Sequence, residues 1–73
     1  MTELNSTRAG WASVALEAFA NEVVTDPEDC LPDLLCAFMH WADNDGSDFD
    51  AHLSRARRYY ESETETENGS VKL

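Results

Sequence analysis

The sequence predicts an all-α protein: three helices in a single small domain over residues 1–62, followed by an acidic tail. Three observations carry that reading. Apolar residues recur at spacings of three and four in three separate stretches. Each stretch is bounded by residues that start or stop helices. No segment alternates with the period of two that a half-buried strand requires.

The first helix is expected over about 7–24, with Ser6 or Thr7 as its cap. Its apolar stripe is Trp11, Val14, Ala15, Ala18, Phe19, Ala20 and Val23. Pro27 then ends the pattern by pushing Asp26 out of helical geometry. The second helix is expected over about 29–43. Pro32 falls in its first turn, where no intrahelical N–H is lost. Its stripe of Leu31, Leu34, Leu35, Phe38 and Ala42 is widened by Met39 and Trp41, so it needs neighbours on more than one side. Asn44-Asp45-Gly46 is a stop signal, Gly46 being suited to the left-handed conformation that closes a helix. Ser47 or Asp48 then caps a third helix over about 48–62, Ser47 and Asp50 approximating a capping box. Phe49, Leu53, Ala56 and Tyr60 form its stripe. The acid and small polar residues of 63–73 bury nothing and are expected to be disordered.

A chain of 73 residues builds only a modest core. Two cysteines, Cys30 and Cys36, make a poor disulfide framework, so a homodimer is the expected source of further stability. No basic segment leads into a long apolar run at the N-terminus, and no apolar run is long enough to span a bilayer. The expected location is the cytoplasm, with both thiols reduced.

Fifteen acidic against five basic residues give a formal charge of −10. Such a surface repels phosphate backbones and anionic membranes and suits a basic protein partner. No Lys or Arg occurs between Arg8 and Arg55, an interval holding Glu17, Glu22, Asp26, Glu28, Asp29, Asp33, Asp43, Asp45, Asp48 and Asp50. Eight of those ten fall between residues 26 and 50, so they gather at the two ends of the second helix. Several complement helix N-termini, but that role does not explain why no base balances them. Asp26, Glu28, Asp29, Asp43, Asp45 and Asp48 are the candidate partner-binding residues. Arg55, Arg57 and Arg58 on the third helix are the candidate counter-charge, toward the second helix or a second subunit.

Other chemistries fit less well. The acids around Gly46 miss the calcium-loop pattern, which puts glycine sixth and glutamate twelfth. Cys36 and His40 share a helix face, and with His52 and Cys30 they suggest zinc, but the spacings of structural sites are absent. No glycine-rich phosphate loop and no signature of a nucleophile, base and orienting acid occurs. The expectation is therefore a non-enzyme with no metal and no cofactor.

The blocks Asp33–Leu35, Met39–Asp43 and Gly46–Asp50, in a segment running from Leu31 to Glu61, resemble a group of small helical proteins from bacteriophages, plasmids and integrated elements of Gram-negative bacteria. The resemblance covers about half the chain and implies an accessory role in a mobile element. It brings no assigned activity. A fainter similarity runs to the all-α nucleotide pyrophosphohydrolases of the MazG type, in which an acid-Leu-Leu helix leads through Ala-Asp-x-x-Gly-x-Asp to the next helix. That resemblance implies a magnesium-dependent hydrolase or an inactive relative, with Glu17, Glu22 and Asp33 as the candidate acids. The spacing of five between Glu17 and Glu22 departs from the family's Glu-x-x-Glu pair and turns them to different faces. A protein-binding inhibitor of a nucleic-acid-binding host protein, of the anti-CRISPR or anti-restriction kind, is the leading expectation. A dimerising scaffold is the third.

Overall fold

In a computed structural model, which describes residues 3–67 and side chains through Glu65, the chain is all-α. Helix α1 spans Glu3–Glu22, α2 spans Cys30–Asp45 and α3 spans Phe49–Glu67, with a short 3-10 turn at Pro27–Asp29 before α2. No strand occurs among the described residues.

Helix α1 starts earlier than expected, so Ser6 and Thr7 lie inside it rather than capping it. Glu3 takes the first turn, where a carboxylate favours the helix dipole. The Thr7 hydroxyl donates back to the Glu3 carbonyl at 3.0 Å. Pro27 acts as expected: Asp26 before it is extended, with ψ 150°. Pro32 sits within the first turn of α2 at no cost in hydrogen bonds.

The α2–α3 turn is closed by the backbone. Gly46 adopts φ 78°, in the left-handed region. Its N–H donates to the Asp43 carbonyl at 3.3 Å, and the Ser47 N–H donates to the Ala42 carbonyl at 3.0 Å. This is the paired closure of a Schellman motif. Asp48, not Ser47, then caps α3: its Oδ1 accepts from the N–H of Asp50 at 2.9 Å and of Ala51 at 3.4 Å. The expected Ser47–Asp50 box does not form, and Ser47 Oγ is buried without a hydrogen-bond partner.

Helix α3 runs five residues past its expected end, so Glu63–Glu67 is helix rather than tail. Glutamate is a good helix former, and Thr64 returns its hydroxyl to the Tyr60 carbonyl at 2.9 Å. Contacts across the fold hold this end as well. Glu63 accepts Arg8 Nε at 3.5 Å on its carboxylate and Asn5 Nδ2 at 3.3 Å on its carbonyl. Residues 68–73 of the expected tail lie outside the described residues.

The contacts between helices form a ring. The C-terminal half of α1 meets the start of α2, where Cys30 Sγ lies 3.7 Å from the Leu16 carbonyl. The end of α2 meets the start of α3, with the Trp41 and His52 rings 6.5 Å apart. The last turns of α3 return to the first turns of α1. The result is broad and thin, measuring 46 × 27 × 16 Å, with a radius of gyration of 14.9 Å. A compact chain of this length would have a radius of about 11 Å.

Burial follows from that shape. Ala42, 1% exposed, is the one buried residue among those described. Leu16, Phe19, Cys30, Leu34 and Ala37 are half-buried, and Cys30 with Leu16 marks the contact of α1 with α2. The inward side of α1 thus differs from the expected stripe: Leu16 belongs to it, while Trp11 and Val14 are 63% and 68% exposed. Helix α2 does carry apolar residues on more than one side, and only part of that circumference is covered.

Candidate functional site

Two kinds of surface stand out on this thin fold, one acidic and one apolar. The acidic residues are placed by helix ends. Asp43 is in the last turn of α2, Asp48 caps α3, and Asp50 follows in its first turn. Together with Met39, Ser47 and Phe49 they line an open cleft of about 420 Å³ at the α2–α3 corner. Asp45 is exposed at the end of α2 and does not line that cleft.

Asp26, Glu28 and Asp29 lie at the other end of α2 and are all exposed. Neither Asp26 nor Asp29 caps its helix through a side-chain hydrogen bond. The 16 residues of α2 separate the two acidic groups by about 24 Å. The six candidate acids therefore form two separate negative regions, not one face. Asp50, counted from sequence among the clustered acids but not among the six candidate binding residues, belongs with the corner group.

The candidate counter-charges do not meet these acids. Arg55, Arg57 and Arg58 are exposed, and none forms an ion pair with the second helix or any other described residue. Arg55 and Arg57, two apart, point to different sides of α3. The three arginines are not one patch. Within the chain they pair with no acid of α2, and the only ion pair across the described fold is the one between Arg8 and Glu63.

The candidate hydrolase acids are also dispersed. Glu17 borders an open cleft of about 370 Å³ with Leu16, Ala20, Thr25, Pro27, Cys30 and Leu31. Asp33 lies near its rim, its Oδ2 accepting the Thr25 hydroxyl at 2.6 Å. Glu22 is the last residue of α1. Of the candidate zinc ligands, Cys36 and His40 are exposed, Cys30 faces the Leu16 carbonyl and His52 faces Trp41. No three His, Cys, Asp or Glu side chains converge among the described residues.

The apolar surface is more extensive. Thirteen large apolar side chains among the described residues are at least 39% exposed, spread over all three helices. The most uniform part is a groove of about 380 Å³ lined by Leu34, Ala37, Phe38 and Trp41, without a charged group. Periodicity identified Leu34, Phe38 and Trp41 of this groove, though not Ala37, and expected them to be covered. No described helix is long and apolar enough to cross a membrane.

No family model, curated protein or solved structure matches the chain.

Proposed function

We propose that this protein acts in the cytoplasm by binding another protein, as a small accessory factor of a mobile element that occupies a basic, nucleic-acid-handling surface of a host protein. The observation that carries the reading is the unneutralised acidity at both ends of α2. Asp26, Glu28, Asp29, Asp43, Asp45 and Asp48 are all exposed, and Arg55, Arg57 and Arg58 pair with none of them. Carboxylates needed only for their own helices gain a few tenths of a kcal/mol each from the dipole. They gain far more in attraction and association rate from a complementary basic partner. Two negative regions about 24 Å apart along one helix suit an extended basic surface better than a single basic pocket.

The test is capture of partners from host lysate by the native chain and by a variant carrying Asn or Gln at the six acids, at low and high salt. A basic partner held by the native chain, released by salt and missed by the variant, is the expected result. A partner held equally by both chains and indifferent to salt would refute the electrostatic reading.

A further inference from the structure

The acidic ends of α2 leave its apolar side unexplained. We infer that this side, centred on the groove of Leu34, Ala37, Phe38 and Trp41, is the seam of a homodimer, covered by a second copy of the same chain. Burial supplies the first argument. Among the described residues only Ala42 is buried, so the three helices enclose almost no core, and a second copy provides the missing apolar cover. Phe38 and Trp41, 45% and 56% exposed, stand together on α2.

Area supplies the second argument. The chain exposes 6084 Å², whereas a compact chain of 8.2 kDa exposes about 4,500 Å². The surplus over the whole surface, about 1,600 Å², leaves room for the roughly 800 Å² that each partner of a stable interface covers. Composition supplies the third. The groove has no charged lining, as in obligate homodimers, whose seams are more apolar than those of transient complexes. A basic partner has its attraction at the ends of α2, away from this groove. A two-fold axis sets the same patch against itself, so one apolar groove serves both subunits.

Charge distinguishes this seam from the acidic partner surface. Two chains of −10 each repel, so salt, by screening that repulsion, tightens the dimer. Salt has the opposite effect on binding to a basic partner, and the two readings fail separately.

Analytical ultracentrifugation of the full chain from about 1 to about 100 µM, at about 50 and about 500 mM NaCl, tests the proposal. A dimer whose dissociation constant falls at higher salt is expected. In Phe38→Asp the dissociation constant should rise at least about thirty-fold, as for loss of a central apolar anchor. Because that variant is open to misfolding, a second chain, Trp11→Phe, leaves Trp41 as the sole tryptophan. Its emission should shift to the blue as concentration rises through the dimerisation range. A chain that stays monomeric at every concentration overturns the proposal, whether helical or not. So does a dimer that forms with the Trp41 emission unchanged, or one that Phe38→Asp leaves intact.

Discussion

The Arg8 guanidinium and the Glu63 carboxylate meet 3.5 Å apart, joining the first turns of α1 to the last turns of α3. Both side chains are about one-third exposed, at 33% and 36%, so water screens the pair. Its Coulomb share of stability is about 0–1 kcal/mol. Arg8 also donates to Asn5 Oδ1, and Asn5 in turn donates to the Glu63 carbonyl. Glu63→Gln should therefore cost less than about 1 kcal/mol in denaturant unfolding. Arg8→Ala should cost more, since it also removes the bond to Asn5 and the packed stem. Equal effects would show that the charge pair is the whole of this junction.

Gly46 carries the α2–α3 turn at φ 78°. A Cβ there meets nothing within 4 Å, so the cost of Gly46→Ala is conformational and not steric crowding. It should be about 1–2 kcal/mol. Gly46→Asn should recover part of it, because asparagine tolerates the left-handed region better. Thermal unfolding of the two variants side by side checks the order.

Neighbouring residues at the same turn should respond in opposite ways. Asp48→Ala removes the α3 cap and should cost about 1 kcal/mol. Ser47→Ala removes a buried hydroxyl that has no partner and should be neutral or stabilising. A larger loss at Ser47 than at Asp48 would contradict the cap assignment.

Replacing Arg55, Arg57 and Arg58 together with Gln should leave the unfolding free energy of the subunit within about 0.5 kcal/mol, as for surface sites without partners. The same change makes each chain more negative. It should therefore weaken self-association at low salt, an effect that high salt abolishes. Sedimentation of the variant at both salt levels measures it.

These cases also show what could be read from the residues beforehand. Gly46 was legible because few residue types solve a left-handed helix end. Asp48 and Ser47 were not separable, because either side chain caps a helix. The choice fell to Asp48 once the Ser47 N–H was used to close α2 and its hydroxyl was turned inward. Leu16 was missed because apolar residues surround α1, while its covered side also includes the polar Asn5 and Arg8. The stretch after Glu61 looked like tail because it offers nothing apolar. Its first residues are tied down by Arg8 and Asn5, distant in sequence and invisible to a local pattern. The acidic regions were legible because helix ends fix them. The isolation of Arg55, Arg57 and Arg58 was not, since it depends on how α3 leaves the corner.

Ala42 alone is enclosed within the described fold, and this bears on the heat capacity. The heat capacity change of unfolding follows the apolar area newly wetted. An isolated subunit with so little area withdrawn from water should melt broadly, with a small heat capacity step and a shallow dependence on urea. At concentrations where two subunits share a seam, the same chain should give a sharp transition and a larger step. Calorimetry at two loadings would then trace two different curves from one sequence.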